Sequence, residues 1–391
     1  MDKRVLEVIT LASSAKNFIG DQMSYMQDNG NYQFHLICSP ANDIEHYAIS
    51  QGIKYKGVVI ERMPSFVKDI KAFSQIRRYI KENHINIIIA HSFPKAFLLS
   101  VLAARTSMTR PYIIEISHGA VYETLPFIKK YLFLFEERIV SHFASKVICV
   151  SPSVIKSRLH YKLNKKEKLC LLSKGTSNGV DAINKFNPDI VPEGTMERLK
   201  KELGISENDF VIGFCGRLVR DKGIVELLDG FEELKKRHPE KPIKLLIIGN
   251  PEQRDALPQH TLDVISNSPD IIFTGRVDYD IIQNYYLPMD VFILPSYREG
   301  FPTVVLEASA MERPVITTRK TGCIDSIVEN ETGVFVDIEG TSIADGIEKF
   351  FDKNNAERMG KNGRKWIVDN FEHTVVREAM LNLLNEVTQK Q

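Results

Sequence analysis

The chain has 391 residues, of which 43% are hydrophobic and 26% charged, and its formal net charge is +1. This composition excludes a disordered protein, and the length predicts two domains because one hydrophobic core rarely serves so long a chain. No stretch approaches the ~20 consecutive apolar residues of a membrane-spanning helix, and the first residues favour a strand over a signal peptide, so we expect a cytoplasmic protein.

Apolar, strand-like runs alternate with helical stretches along the chain. One series covers residues 5–10, 33–38, 85–90, 112–116 and 146–150, and a second covers residues 210–215, 243–248, 271–273, 291–294 and 314–317. Such runs separated by helices are typical of parallel sheets with helices on both faces. The sequence therefore predicts an α/β protein with two Rossmann-like, doubly wound domains, whose ligands bind in the cleft between them.

A polar segment containing Pro and Gly, residues 182–195, is the predicted linker between the two series. We accordingly place an N-terminal domain at residues 1–185, a C-terminal domain at residues 186–370 and a C-terminal helix at residues 371–391. The cysteines form no Cys-x-x-Cys pair and sit mostly in apolar runs, which favours core positions over metal or redox roles. They are Cys38, Cys149, Cys170, Cys215 and Cys323.

The two halves of the chain differ in charge. Residues 1–180 contain 25 Lys and Arg against 14 Asp and Glu, and the remainder contains 26 against 36. Within the first half, the segment 129–174 holds eleven basic residues and three acidic ones, interleaved with Leu and Tyr. This mixture suits an anionic lipid surface, with a solvated helix face as the alternative. Nucleic acid is not expected, because no aromatic stacking platform accompanies the charge.

The second series opens with a cationic turn, in which Arg217 and Lys222 lie between a strand and a helix. An Arg and a Lys beside a helix N-terminus can neutralise a diphosphate leaving group. The alternative is a pair of surface cations. Farther on, Asp278-Tyr279-Asp280 resembles a metal-binding Asp-x-Asp, but its place before a helix favours an N-cap. We therefore expect no metal requirement.

Two carboxylates, Glu299 and Glu307, flank a predicted helix start at Thr303, directly after the buried run 291–294. A helix N-terminus presents free N–H groups to an anion, and carboxylates accept hydrogen bonds from vicinal hydroxyls. This pattern suits a nucleotide sugar. Two solvated acids near a helix start, where the helix dipole favours them, are the alternative.

The order and spacing of these motifs resemble glycosyltransferase family 4, retaining enzymes of the GT-B fold, over essentially the whole chain. Among its members, the bacterial enzymes that build capsular and lipid-linked oligosaccharides are the most similar. The residues that carry the resemblance are Gly216-Arg217-Leu218 with Lys222-Gly223, Gly275, Glu299 with Glu307, Pro314-Val315-Ile316, Thr332 to Val336, Val150-Ser151, Asn178 to Asp181 with Phe186, and His118-Gly119.

The resemblance implies a role for each matching residue. Arg217 and Lys222 would hold the donor diphosphate, Glu307 the ribose, and Arg276 and Val277 the base. Glu299, the amides of Gly300, Phe301 and Pro302, and the helix start at Thr303 would face the donor sugar. His118, from the opposite domain, would lie near the transferred sugar and count with Arg217, Lys222 and Glu299 as catalytic.

Acceptor contacts are less defined, because many family members have a glycine-rich turn where this chain has Leu11 to Phe18. Ser13, Ser14 and Lys16 are candidates there, and His91 is another. The resemblance implies transfer of a hexosyl or N-acetylhexosaminyl unit, from UDP or alternatively GDP, to a saccharide acceptor that is lipid-linked. It also implies a C-terminal helix that packs on the first domain. The alternatives are a GT-B-type UDP-sugar 2-epimerase and a non-catalytic sugar-binding protein.

Overall fold

A computed structural model describes residues 3–61, 65–91 and 94–389 of the chain. The chain divides into two compact units, an N-terminal unit made of Met1–Asn178 with Thr374–Gln391, and a C-terminal unit made of Gly179–His373. Of the residues assigned to domains from the sequence, Met1, Asp2, Lys390 and Gln391 lie outside the described residues at the two ends.

The N-terminal unit alternates strands and helices. Its strands are β1 (Lys3–Val8), β2 (Tyr32–Cys38), β3 (Lys54–Gly57), β4 (Ile87–His91), β5 (Tyr112–Ser117), β6 (Lys146–Cys149) and β7 (Leu169–Cys170). Its first helices are α1 (Ala12–Ile19), α2 (Gln22–Asn29), α3 (Ile44–Ser50), α4 (Phe66–Glu82), α5 (Pro94–Thr106), α6 (Phe127–His142) and α7 (Pro152–His160).

The C-terminal unit repeats this alternation. Its strands are β8 (Phe210–Cys215), β9 (Ile243–Ile248), β10 (Ile271–Gly275), β11 (Val291–Leu294), β12 (Val315–Thr318) and β13 (Gly333–Val336). Its helices are α8 (Thr195–Leu203), α9 (Ile224–Arg237), α10 (Gln259–Asn267), α11 (Ile282–Tyr286), α12 (Thr303–Ala310), α13 (Gly340–Glu348) and α14 (Lys353–Phe371). The last helix, α15 (His373–Gln389), belongs almost wholly to the N-terminal unit.

Both sheets are parallel and doubly wound. Over the described ranges, the N-terminal sheet has seven strands in the order β3-β2-β1-β4-β5-β6-β7, and the C-terminal sheet has six in the order β10-β9-β8-β11-β12-β13. The strand order therefore reverses between β1 and β4 in one sheet and between β8 and β11 in the other. Ligands of such sheets bind beyond the carboxyl ends of the strands at this switch point.

The sheets form where strands are apolar on both faces. In β1 the side chains of Val5, Leu6 and Val8 are fully buried, and every side chain of β11 is buried as well. The sequence predicted ten of these strands. It missed β3, β7 and β13. Strand β3 alternates exposed and half-buried residues, and β7 has only two residues, so neither forms a long apolar run. The four residues of β13 were matched only as part of the motif Thr332 to Val336.

The predicted linker is wrong in its first part. Ala182 and Phe186 are fully buried in the hydrophobic core of the C-terminal unit. The N–H of Val180 donates to the carbonyl oxygen of Phe371, which holds residues 179–186 against the end of α14. The sequence predicted a linker here because residues 187–195 are mostly polar and only a few apolar side chains precede them.

Helix α15 is fastened to the N-terminal unit by polar contacts. Its Arg377 forms an ion pair with Asp21, and the hydroxyl of Tyr32 donates to Asn385 Oδ1 at 2.7 Å. None of the helices in the described residues is long and apolar enough to cross a membrane. The five cysteines are unpaired thiols, of which Cys38, Cys149 and Cys323 are buried.

A buried ionic cluster joins β5, α6 and α7. The guanidinium of Arg158 lies 3.0 Å from Glu115 and 3.0 Å from Glu137, and it donates to the hydroxyls of Ser117 and Ser141. Arg158 is only 1% exposed. Its inclusion among the surface charges of the segment 129–174 is therefore wrong, and this Arg instead forms ion pairs with two carboxylates inside the unit.

Candidate active site

Lys222 reaches the switch point of the C-terminal sheet from a tight turn after β8. Between β8 and α9, residues Arg220–Lys222 form a short 3-10 helix. Gly223 follows with φ of 70°, and a Cβ there would stand 2.1 Å from the carbonyl oxygen of Pro295. No side chain fits at that position, so the turn that carries Lys222 packs directly on the backbone that follows β11.

Glu299 lies in the loop between β11 and α12, across the switch point from that turn. Its N–H donates to the carbonyl oxygen of Thr321 at 2.9 Å. Gly322 has φ of 80°, and a Cβ there would come within 2.5 Å of the Glu299 carbonyl oxygen. The segment after β12 thereby packs against the backbone of the Glu299 loop and fixes its position.

The side chains of Lys222 and Glu299 form an ion pair, and each is 14% exposed. Ser296 Oγ lies 2.9 Å from Glu299 Oε1, and the neighbouring residues Asp221 and Arg298 form a second ion pair. These contacts hold the loops after β8 and β11 together. They also place a fixed cation and a fixed carboxylate where doubly wound sheets bind their ligands.

Helix α12 begins at Thr303, as predicted, and its start supplies free amides. The N–H groups of Thr303 and Val304 have no acceptor within the helix, because they belong to its first turn. In the described part of the chain, no hydrogen bond uses the N–H of Gly300 or Phe301. The amide predicted for Pro302 is wrong, since proline has no N–H, and Pro302 is instead the residue that precedes the helix.

Glu307 lies inside α12 and is only 6% exposed. The hydroxyl of Tyr286 donates to its Oε2 at 2.7 Å. Burial raises the pKa of Glu307, and the nearby positive charge of Lys185 opposes that rise. The Lys185 ammonium lies 3.1 Å from the centre of the Tyr279 ring. The sequence did not predict Lys185 or Tyr286, because neither stands in a recognised motif.

Three predicted donor residues lie apart from the Lys222–Glu299 pair. Arg217 is exposed and forms an ion pair with Glu252 at 3.0 Å. Arg276 and Val277 follow β10, the first exposed and the second half-buried. Among the contacts of the described residues, none joins these three side chains to Lys222 or Glu299.

The Asp-x-Asp motif caps a helix. The carboxylate of Asp278 accepts a hydrogen bond from the N–H of Asp280, at the start of the short helix Tyr279–Ile281. This geometry confirms the predicted N-cap. Over residues 3–61, 65–91 and 94–389, no group of three or more His, Cys, Asp or Glu side chains is placed to hold a metal ion.

The N-terminal sheet carries a polar row across its own switch point. Glu7 of β1, His91 at the end of β4 and His118 just after β5 come from three adjacent strands. His91 Nε2 lies 2.7 Å from Glu7 Oε1, and His91 Nδ1 lies 2.6 Å from His118 Nε2. Phe18 of α1 packs against the His118 ring, with 4.4 Å between ring centres.

Burial dominates the titration of this row. It raises the pKa of Glu7 to about 8, lowers the pKa of His91 to about 3, and lowers the pKa of His118 well below its usual value. Of the three, the sequence identified His118 and His91 but missed Glu7. The signal that the sequence offers is a lone carboxylate inside the apolar run Val5-Leu6-Glu7-Val8, and this run by itself predicts only a strand.

The predicted acceptor-side residues lie at the start of α1. Ser13 is exposed, Ser14 is half-buried, and both belong to the first turn, whose N–H groups have no acceptor within the helix. Lys16 forms an ion pair with Asp43. This helix start takes the place of the glycine-rich turn, and the packing of Phe18 on His118 brings it beside the polar row.

Comparison with known proteins assigns the family. The description "Glycosyltransferase Family 4" matches residues 17–176, and "Glycosyl transferases group 1" matches residues 195–366, so the two together cover most of both units. The chain is a glycosyltransferase of the family 4 type. The family 4 enzyme is accordingly a hexosyltransferase, as predicted, and this assignment disfavours a 2-epimerase or a non-catalytic sugar-binding protein.

Two curated relatives align over most of the chain. The capsular polysaccharide biosynthesis glycosyltransferase CapM of Staphylococcus aureus is 29% identical over 98% of this chain and 97% of CapM. The UDP-Gal:alpha-D-GlcNAc-diphosphoundecaprenol alpha-1,3-galactosyltransferase of Escherichia coli is 25% identical over 88% of this chain and 86% of its own.

Solved structures show the GT-B fold for the family 4 enzyme. A glycosyltransferase from Rickettsia africae superimposes with a TM-score of 0.81 and 20% identity, covering 100% of both chains. HepE of Anabaena, in complex with UDP-glucose, superimposes with a TM-score of 0.77 and 16% identity, covering 98% of this chain and 99% of HepE.

Proposed function

We propose that the enzyme is a retaining glycosyltransferase that moves a hexosyl or N-acetylhexosaminyl unit from a UDP-linked donor to a lipid-linked saccharide, in capsular or surface polysaccharide biosynthesis. The observation that carries the proposal is the Lys222–Glu299 ion pair at the switch point of the C-terminal sheet, beside the free amides at the start of α12. A cation and amide donors suit a diphosphate, and a fixed carboxylate suits sugar hydroxyls.

The relatives support the donor, the acceptor and the process. HepE of Anabaena has been crystallised with UDP-glucose, and the Escherichia coli relative is named for a UDP-Gal donor and a diphosphoundecaprenol-linked acceptor. CapM is named for capsular polysaccharide biosynthesis. These names support UDP as the carrier, a lipid-linked saccharide as the acceptor and surface polysaccharide synthesis as the process.

In the proposed reaction, the bond between the sugar C1 and the donor diphosphate breaks while the acceptor oxygen bonds to C1 on the same face. The acceptor hydroxyl proton passes to the departing diphosphate. Lys222, Arg217 and the α12 amides stabilise the charge that develops on the diphosphate, and Glu299 orients the sugar. Because these groups are cations and amides of the chain, we propose that no metal is required.

Donor binding is expected to be metal-free and nucleotide-selective. Calorimetric titration in EDTA should show UDP binding more tightly than GDP or ADP. The double variant Arg217→Ala/Lys222→Ala should lose at least ~10-fold in affinity, because it removes Lys222 at the switch point and Arg217, the second cation proposed for the diphosphate. Lys365→Ala removes an exposed lysine of the same unit, which is paired with Asp369, and serves as the matched control.

Binding that appears only after Mg²⁺ or Mn²⁺ is added would contradict metal independence. Tighter binding of GDP would move the carrier assignment to GDP. If the double variant bound UDP as tightly as the Lys365→Ala control, the diphosphate site would lie elsewhere.

A lipid-linked acceptor requires access to a membrane, and α6 presents a suitable surface. Its exposed apolar side chains form a stripe along one side: Phe127, Ile128, Tyr131, Leu132, Phe135 and Ile139. Lys129, beside the stripe on the same helix, is exposed as well, and so are Lys162, Lys165 and Lys166 on the neighbouring loop. Apolar side chains with flanking lysines suit the interface of an anionic bilayer. We propose that this α6 stripe contacts the membrane that presents the acceptor.

Replacing Phe127 and Leu132 by serine is expected to weaken binding to liposomes of anionic lipid by at least ~10-fold, because the two side chains are 75% and 67% exposed and carry much of the apolar area of the stripe. Flotation of the protein with the liposomes measures the effect. Ile49→Ser is the control, since Ile49 is 77% exposed on α3 of the same unit.

Neutralising Lys162, Lys165 and Lys166 should lower binding to anionic liposomes and leave neutral ones unaffected. Binding that ignores both lipid charge and the stripe variants would contradict the membrane proposal. It would leave the donor proposal intact.

A further inference from the structure

We propose that Glu7, His91 and His118 form one proton-sharing row, in which Glu7 decides, through His91, whether His118 Nδ1 donates or accepts a hydrogen bond. Glu7 and His91 are then positioning residues, because they act through His118. The inference rests on the proposed function only in placing the transferred sugar near His118.

The geometry of the row favours proton sharing. The two imidazole planes differ by 9°, and their centres lie 4.9 Å apart. With 2.6 Å between the bonded nitrogens, that separation equals the hydrogen bond plus the two ring radii. The rings therefore lie edge to edge in nearly one plane, which is the arrangement a linear N–H···N bond requires. Phe18 packs against the His118 ring and limits its rotation.

Both ring nitrogens of His91 form hydrogen bonds, one with Glu7 and one with His118, so His91 can only couple the protonation of Glu7 to that of His118. A neutral imidazole has one donor nitrogen and one acceptor nitrogen. If His91 Nε2 accepts from Glu7, then Nδ1 must donate to His118 Nε2. If Nε2 instead donates to Glu7, then Nδ1 must accept from His118. The direction of the first hydrogen bond consequently fixes the direction of the second.

The two states differ by one proton. In the protonated state, the Glu7 carboxyl donates to His91, His91 donates to His118, and His118 keeps its proton on Nδ1. When a base removes that proton, His118 Nε2 takes the proton of His91 Nδ1, and His91 Nε2 takes the proton of Glu7. Glu7 becomes a carboxylate, and His118 Nδ1 becomes an acceptor.

The surroundings leave Glu7 as the group that titrates. Burial keeps both histidines neutral, as their lowered pKa values show, and it holds the proton on Glu7 until about pH 8. Tyr47 of α3 lies near Glu7, Asp21 and Cys38, and burial raises the pKa values of Tyr47 and Cys38, so both stay neutral in this range.

The nearby charged groups form ion pairs or hydrogen bonds with other partners. Lys16 of α1 pairs with Asp43, and Asp21 pairs with Arg377. On α5, which packs against β1 and β4, the Arg105 guanidinium donates to the carbonyl oxygen of Phe143. Because the three groups of the row are joined by hydrogen bonds, one midpoint is expected for the whole row.

The decisive experiment reads the tautomers directly. In protein labelled with ¹⁵N-histidine and free of nucleotide and acceptor, nitrogen chemical shifts identify the protonated nitrogen of each ring. From about pH 6 to about pH 10, His91 and His118 should both pass from the Nδ1–H to the Nε2–H form, with a common midpoint near pH 8. His35 is an internal control, because its buried ring bonds the hydroxyl of Tyr79 at 2.9 Å and it should keep one tautomer.

Glu7→Gln should abolish the switch in both rings, because a glutamine has the shape of glutamate but no proton that titrates. Tyr79→Phe, which alters only the partner of His35, should leave the switch unchanged. If the tautomers of His91 and His118 do not change with pH, if their midpoints differ, or if the switch persists in Glu7→Gln, the proposal is overturned. If Glu7→Gln does not fold, the shared midpoint in the unsubstituted protein still decides.

The proposed function and the proton-sharing row can fail separately. If the protein binds UDP but shows no tautomer switch, the proton-sharing proposal is refuted and the proposed transferase function is unaffected. If both histidines switch with one midpoint but the protein binds no nucleotide, the proton-sharing proposal is supported and the proposed donor site is refuted. The alkaline limb of the kcat/KM profile adds a catalytic readout, since in Glu7→Gln its midpoint should no longer lie near pH 8.

Discussion

Replacing Lys222 with alanine is expected to lower turnover by roughly 10²–10³-fold, because the cation that faces the departing diphosphate is lost. Lys222 and Glu299 are each only 14% exposed, so the variant also leaves the Glu299 carboxylate partly buried without its counter-ion. Turnover is measured by release of the nucleoside diphosphate in the presence of acceptor, with donor saturating.

Two comparisons sharpen this test. Lys222→Arg keeps the charge but changes the shape of the donor, so it should recover only part of the rate. Lys365→Ala, on the surface of α14, should match the unsubstituted enzyme. Because Gly223 and Pro295 hold the turn through its backbone, Lys222→Ala should still fold, with a melting temperature lowered only by the loss of the Glu299 ion pair. Turnover near normal in Lys222→Ala would refute the site.

Replacing Arg158 with methionine is expected to destabilise the N-terminal unit by about 3–5 kcal/mol, because two buried carboxylates lose their cation. Glu115 is fully buried, Glu137 is 7% exposed, and both depend on the same guanidinium. Hydrogen exchange of peptides from β5 and α7 measures the loss. Peptides from α9 in the C-terminal unit provide the internal control.

The triple variant Arg158→Met/Glu115→Gln/Glu137→Gln tests the cause. If the loss comes from unpaired charge, removing the two carboxylates should restore much of the stability, since uncharged replacements of buried ion pairs are often tolerated. A triple variant as unstable as Arg158→Met would mean that the packing of the Arg158 side chain matters, rather than its charge.

The sequence predicted the turn after β8 and the start of α12, for a physical reason. Lys222, Glu299 and the start of α12 depend on local features, namely a turn after a buried strand, a glycine with positive φ and a helix N-terminus. Such features are determined by residues that are close in the sequence. The pairing of Lys222 with Glu299 could not be derived that way, because it joins residues 77 positions apart.

The parts that the sequence did not predict depend on which strands become neighbours. Glu7 gains its partner only because β1 and β4 lie side by side, and the residues are 84 positions apart. Likewise, Arg158 appeared to be one of many surface cations until the fold brought Glu115 and Glu137 to it. The α6 stripe was overlooked because its apolar residues also suit a core helix, and only the fold decides which side is covered.

The switch point of the C-terminal sheet also bears on how the chain is made. The contact between β8 and β11 rests on two residue pairs, Ile212 with Val291 and Gly213 with Phe292, and the Lys222–Glu299 pair lies just beyond it. During synthesis, β8 and the Lys222 turn leave the ribosome well before Glu299 exists. The donor site is thus completed by one of the most distant pairings in its sheet, so a nascent chain released before residue 291 would fold part of the unit but could not hold the nucleotide.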